Sequence, residues 1–144
     1  MTRKHAKTSA HGMLGLRNAP RDGLAWVAVI REGVAASVFE QVIAPLGWTL
    51  GDLSKVIAVP ERTLHRHKSA GTRLMKGEAE RLVRLTRVIE RVFEVFEDWP
   101  KARAWLAGPI HGLGGAAPQE LLDTDAGAAV VLDELGRLEH GIHS

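Results

Sequence analysis

The chain has no cysteine and no tyrosine, only three phenylalanines, and no long uninterrupted apolar run. Each absence removes a class of function. Without cysteine there are no disulfides, no thiol nucleophile and no cysteine-bound zinc, and a cytoplasmic location is expected. A membrane-crossing helix needs about 18 or more consecutive apolar residues, and none occurs. The start, Met-Thr-Arg-Lys-His, is positive but lacks the apolar stretch that a secretory signal carries behind it. The loop Gly112-Leu-Gly-Gly follows no strand and lacks the Lys-Ser/Thr of a phosphate-cradling loop. No nucleophile–base spacing or acid pair is evident, so neither an enzyme nor a cofactor is expected. His65 and His67 are two apart on a helix and point apart. His140 and His143 could share a face but have no third ligand at fixed spacing, so no metal site is expected.

What the chain does have is apolar residues, 45% of 144, enough for one core or two small helical domains. The net charge of +2 conceals an asymmetry. Arg3, Lys4, Lys7, Arg17 and Arg21 face only Asp22 in the first 22 residues. Lys55, Arg62, Arg66, Lys68, Arg73 and Lys76 face only Asp52 and Glu61 between residues 49 and 76. From residue 77 onward acids outnumber bases. Positive charge therefore gathers where phosphate contacts would need it, and the acidic last third suits a protein partner better than DNA.

Residues 48–68 organise the rest. Leu50, Leu53, Val56 and Ile57 recur at three- and four-residue spacing, as one face of a helix does. Ala58-Val59-Pro60 interrupts them, and proline suits the start of a second helix, where its missing N–H is not needed. In that second helix Leu64 faces inward, leaving Arg62, Thr63, His65, Arg66, His67 and Lys68 outward. Ser54 and Ala58 are small where two crossing helices must approach. This is the helix-turn-helix pattern, whose second helix enters the major groove. An ordinary helical hairpin with a solvated basic face fits the same spacing.

The remaining chain reads as all-α. Residues 1–22 form a basic arm, either touching DNA backbone or simply solvated. Residues 24–30 are continuously apolar and fit a buried strand or helix by pattern; their alanines and helical surroundings favour helix. Gly33 ends it, and Val34, Val38, Phe39, Val42 and Ile43 mark the next helix, closed by Pro45 and Gly47. Thr49 should cap the first helix of the central pair, with Asp52 in its first turn. Gly71 should break the chain beyond Lys68. A long helix over about 78–98 carries one apolar stripe of Leu82, Leu85, Ile89, Val92, Phe93 and Phe96. Arg84, Arg87, Glu90, Arg91, Glu94 and Glu97 fall on its solvated face, with pairs such as Glu80–Arg84. The four tryptophans are read as core anchors. A short helix with Trp105 leads to the glycine-rich stretch 108–117 and a turn begun by Pro118. Asp123 or Thr124 caps a last helix with Ala128, Val131, Leu135 and Leu138 inward, its end loosened by Gly136 and Gly141. No strand or internal repeat is expected.

Leu113-Gly114-Gly115, Pro118, Leu121-Leu122, Gly127, Val130-Val131 and Arg137-Leu138-Glu139-His140-Gly141-Ile142 together resemble the C-terminal block of the MbcA/ParS/Xre antitoxins. Val59-Pro-Glu-Arg-Thr-Leu-His-Arg and the helix after it are similar to their Xre-type helix-turn-helix region. The resemblance covers about residues 24–144. Ile110 stands where such proteins often have asparagine, and Ala58 where they often have glycine.

Beyond the basic arm (1–22), which it does not cover, the resemblance implies an Xre-like DNA-binding domain (23–76) and a toxin-binding domain (77–144) of a bacterial type II antitoxin. It implies a RES-domain toxin as partner, one that consumes NAD⁺ or uses it for ADP-ribosylation, with the antitoxin's end obstructing the toxin's active site. The toxin-binding residues would be Leu113, Gly114, Gly115, Pro118, Arg137, Leu138, Glu139, His140, Gly141, Ile142, His143 and Ser144, with Ile142 as apolar anchor. Read from the residues alone, that end is a fraying helix terminus. Double-stranded operator DNA would be the second partner, bound by a homodimer within a larger toxin–antitoxin assembly. Thr63, His65 and Arg66 would meet base edges, and Arg62, Lys68, Arg73 and Lys76 phosphates. Two other readings use the same residues: a repressor whose C-terminal half only dimerises, and an interaction module that has lost DNA binding.

Overall fold

The computed structural model describes the backbone of residues 23–143 and the side chains of residues 24–141. The basic arm, Ser144 and the side chains of Ile142 and His143 lie outside the described residues. Helices α1 (Gly23–Glu32), α2 (Val38–Leu46), α3 (Leu50–Ile57), α4 (Glu61–Ala70), α5 (Lys76–Phe96), α6 (Trp99–Ala107) and α7 (Asp125–His143) make up nearly all of the regular structure. None of the described helices is long and apolar enough to cross a membrane.

The apolar run of residues 24–30 is helical, with Trp26 buried and Leu24 exposed on opposite sides of α1. A small correction follows directly after it. Val34 does not open the next helix; Val34–Ala35 is a strand, β1, paired antiparallel with β2 (Arg73–Leu74) in the register Val34–Leu74 and Ala35–Arg73. The expectation of no strand therefore fails for this two-residue ladder. Gly33 causes it. Its φ of +89° turns the chain out of α1, and a Cβ there would lie 2.8 Å from the Leu74 carbonyl oxygen. Two apolar side chains, Val34 and Leu74, are buried by the pairing, one from each side of the helix-turn-helix. Pro45, expected to close α2, lies inside it near its end, and Gly47 is the cap.

The axis of the fold is α5. Leu82, Leu85, Val88, Ile89 and Val92 are all within 1% of full burial, and Ala79, Val83 and Thr86 are buried beside them. The apolar surface is wider than one stripe because α1, α3, α6 and α7 all pack against it. Buried Thr86 satisfies its hydroxyl by donating to the Val83 carbonyl at 2.7 Å. The helix ends at Glu97, which takes a left-handed φ of +55°. Asp98 then caps α6 by accepting from the Lys101 N–H at 2.9 Å. Phe93 lies against Trp99 with ring centroids 4.7 Å apart, and Phe96 against Trp105 at 5.8 Å, which fixes the corner between α5 and α6.

The charged side of α5 is solvated at Arg87, Glu94 and Glu97, as its sequence suggests, but not at Arg84 and Arg91. Arg84 reaches Asp125 of α7 at 3.0 Å, with only 18% of its side chain exposed, rather than pairing along its own helix with Glu80. Arg91 reaches Glu139 of α7, and Arg87 stacks over the Trp26 ring at 5.4 Å. Arg84 and Arg91 thus carry the seam with α7. The inward side of α7 follows expectation for Ala128, Val131 and Leu135, which are buried, whereas Leu138 is half-buried.

Candidate DNA-reading and toxin-binding surfaces

The helix-turn-helix is built from a well-capped first helix. Thr49 accepts from the Asp52 N–H at 3.1 Å while the Asp52 carboxylate accepts from the Thr49 N–H at 2.8 Å, so two otherwise unpaired donors are satisfied reciprocally. Leu53 and Ile57 are fully buried beneath α3, and Leu64 is the one fully buried side chain of α4. Between the helices Ala58 takes a left-handed φ of +56°. Ser54 then donates its hydroxyl to the Val59 carbonyl at 2.6 Å, which binds the turn back to α3. The Pro60 carbonyl accepts from the Thr63 and Leu64 N–H groups, starting α4 without a side-chain cap.

Within α4, Arg62, His65, Arg66 and Lys68 are exposed, and Thr63 is half-buried. Arg62 and Arg66 are one turn apart on the outer face. His65 lies 3.3 Å from the Glu61 carboxylate, one turn back. Lys68 is tied to Glu40 of α2 at 2.9 Å. His67 was expected to point outward with these. Instead only 15% of its side chain is exposed, its Nδ1 lies 2.7 Å from the Thr72 hydroxyl, and Glu78 lies 3.8 Å from Nε2. It closes the end of α4 onto the following loop. Arg73 is anchored too, donating to the Gly33 carbonyl at 2.9 Å. Lys76 is exposed at the start of α5 with a left-handed φ of +49°.

The C-terminal elements fold over the far half of α5. After α6 the chain makes a compact loop through a single 3₁₀ turn (His111–Leu113). Ile110, which stands where an asparagine side chain could cap the turn, does the work with its backbone. Its carbonyl accepts from Leu113 at 2.9 Å and Gly115 at 3.0 Å, and its N–H donates to Ala116 at 3.1 Å. Leu113 is buried, whereas Gly114 and Gly115 are exposed with positive φ. Pro118 is buried and opens a second 3₁₀ turn (Pro118–Leu121), whose Glu120 carboxylate accepts from the Ala117 N–H at 3.0 Å. Leu113 and Pro118 thus hold the loop's interior and present Gly114 and Gly115 at its surface.

Thr124, not Asp123, supplies the side chain at the start of α7, accepting from the Gly127 N–H at 2.9 Å. The helix continues through both Gly136 and Gly141 to His143, so neither glycine ends it. Along this end Arg137 and His140 are exposed, with Arg137 bonded to Glu134 at 2.7 Å, and Gly141 is exposed. Glu139 is turned inward to Arg91. The anchoring expected of Ile142, and the roles expected of His143 and Ser144, lie outside the described residues.

Comparison with known proteins meets this geometry at both ends. Residues 25–87 match the Antitoxin Xre-like helix-turn-helix domain, and residues 91–141 match the Antitoxin Xre/MbcA/ParS C-terminal toxin-binding domain. An Antitoxin Xre of Yersinia enterocolitica serotype O:8 / biotype 1B is 33% identical over 123 residues, covering 85% of this chain and 83% of that protein. The chain belongs to the Xre antitoxin family. A second Antitoxin Xre, from Photorhabdus laumondii subsp. laumondii, is 31% identical over 118 residues, with 81% and 80% of the two chains covered. A Prs ADP-ribosylating antitoxin of Sphingobium sp. strain YBL2 is 28% identical over 124 residues, covering 80% and 78%. The two family matches of this antitoxin meet inside α5, between residues 87 and 91. One helix therefore belongs to both halves. Its cross-links, Arg81, Arg84 and Arg91, are not legible as such in the sequence. Their partners lie 23 or more positions away, and spacing along one helix carries no signal of them.

Proposed function

We propose that this antitoxin neutralises a RES-domain toxin that consumes or transfers from NAD⁺, by seating its C-terminal end in the toxin's active site, and that it binds operator DNA to regulate its own transcription. On this reading the units are the arm 1–22, the DNA-binding domain 23–76 and the toxin-binding domain 77–144, acting in the cytoplasm as a homodimer within a larger complex with toxin. The observation that carries it is the division of labour along α5. One end supports a helix-turn-helix whose Arg62 and Arg66 are exposed; the other supports a long helix whose exposed end residues fall within the toxin-binding match. A relative whose name joins antitoxin with ADP-ribosylation accords with a toxin that uses NAD⁺.

The toxin assignment is tested by co-expression with the product of a RES-type reading frame adjacent to this gene in its host. The full chain should preserve growth and cellular NAD⁺, and a chain ending at residue 138 should not. Full protection by the shortened chain would show that the end of α7 is not the inhibitory element. Pull-down from the native host with mass identification of the captured protein checks the partner independently. The operator half is tested by a reporter fused to the upstream region, which the full chain should repress and the paired substitution of Arg62 and Arg66 by alanine should not.

A further inference from the structure

Three consecutive carbonyls in the turn between α3 and α4 are each held by a side chain. Val59 is held by Ser54, as described above. The other two go to one residue: Arg81, one turn into α5, donates Nε–H to the Ile57 carbonyl at 2.6 Å and an Nη2–H to the Ala58 carbonyl at 3.3 Å. These carbonyls sit at the end of α3, where unpaired oxygens and the helix dipole both favour a cation. They also flank the residue with the left-handed φ. The planar guanidinium fork suits two adjacent oxygens in a way that a single ammonium does not. Arg81 is half-buried against the turn, so its charge is spent on the backbone there.

We propose that Arg81 is a positioning residue for DNA reading: by clamping the turn from α5 it sets the angle at which α4 is presented, without itself touching DNA. This rests on the operator-binding half of the proposed function. The geometry separates Arg81 from Arg62, which lies exposed on α4, and from Lys68, which reaches Glu40. A side chain that binds phosphate adds to the salt dependence of binding; one that orients the reading helix alters only how well the right sequence is distinguished from others.

The test uses the full chain and two duplexes of equal length, one from the region upstream of its own gene and one of random sequence, titrated over a range of salt. Arg81→Ala should weaken binding to the upstream duplex by roughly tenfold, leave the random duplex unchanged, and leave the salt slope unchanged. Arg81→Lys, which keeps the charge and loses the fork, should recover part of the lost discrimination. Unchanged affinity for the upstream duplex would overturn the proposal. So would a slope smaller by about one unit, which marks a direct phosphate contact, or equal weakening on both duplexes, which marks general damage to the fold. If the alanine variant does not fold, the lysine variant carries the comparison, and unaltered discrimination there overturns the claim. The double variant Arg62→Ala with Arg66→Ala separates the two failures: if it binds like the parent, the operator reading itself is wrong.

Discussion

Arg91 of α5 grips both carboxylate oxygens of Glu139 in α7, joining residues 48 positions apart. Arg91 also reaches Glu94 at 3.1 Å, so one guanidinium serves two carboxylates. The hydrogen bond to Glu139, ahead of the opposing cost of burial, raises the Arg91 pKa above its ordinary value. A raised folded-state value means stability present below the unfolded pKa and lost only as pH climbs through the folded one. Arg91 therefore adds no pH dependence short of strong base. About two-thirds of each side chain is covered, so the pair should be worth more than a fully exposed one. A double-mutant cycle with Arg91→Ala and Glu139→Ala, read by urea unfolding, should give a coupling of about 1 kcal/mol. A coupling near zero would mean that the two side chains do not hold α7 to α5.

Gly127 and Gly136 lie in the same helix and should respond in opposite ways to alanine. A Cβ at residue 127 would run into the Leu121 carbonyl, which is backbone and cannot swing aside, and would lie 3.0 Å from the Thr124 hydroxyl. At Gly136 it would meet nothing within 4 Å. Gly127→Ala should cost about 1–3 kcal/mol by overpacking. Gly136→Ala should gain about 0.5–1 kcal/mol, because alanine loses less conformational freedom in a helix. Chemical denaturation of the two variants side by side checks both signs.

The same contrast explains what could be read from the sequence. Periodicity located every helix of the HTH pair and the long helix, because burial repeats at three and four residues wherever a helix lies on a core. The cap at Thr49 and the breaks at Gly33, Gly47 and Gly71 were equally local, whereas the Asp98 cap on α6 emerges only from the structure. The β1–β2 ladder was not, since two residues make no alternation to detect. Nor were the Arg84–Asp125 and Arg91–Glu139 pairs, because a charge on an outer helical face looks solvated until another helix is laid over it. Among candidate site residues, Arg62, His65, Arg66, Arg137 and His140 are exposed as a binding role needs. Lys68 and Arg73 proved to have partners inside the chain, which composition could not disclose.

Ala58 occupies the left-handed region at φ +56°, a conformation that glycine adopts without a Cβ clash and alanine does not. The Arg81 and Ser54 bonds to the neighbouring carbonyls keep the turn closed despite it. Ala58→Gly removes the clash while leaving those bonds possible, and glycine's greater freedom in the unfolded chain offsets part of the gain. The variant should be more stable by about 0.5–1 kcal/mol, which for a domain of this size raises the melting temperature by roughly 2–5 °C. Lowered stability would show that the Cβ of Ala58 packs usefully.

On the proposed operator reading, the basic residues of α4 and of β2 behind it should divide by whether the fold already uses them. Arg62 and Arg66 are exposed on α4, whereas Lys68 is paired with Glu40 at 2.9 Å and Arg73 donates to the Gly33 carbonyl. Arg62→Ala should weaken binding to all DNA and reduce the salt slope by about 0.9, the share of one phosphate contact. Arg66→Ala should cost about 1–3 kcal/mol on the upstream duplex and much less on a random one, as loss of a base contact does. Arg73→Ala should lower thermal stability through the lost bond to Gly33 with little change in slope. Glu40→Ala releases Lys68 without touching α4. If Lys68 then reaches a phosphate, affinity rises and the slope grows by up to about 0.9. An unchanged slope would place Lys68 outside the contact surface and confine phosphate binding to the N-terminal part of α4.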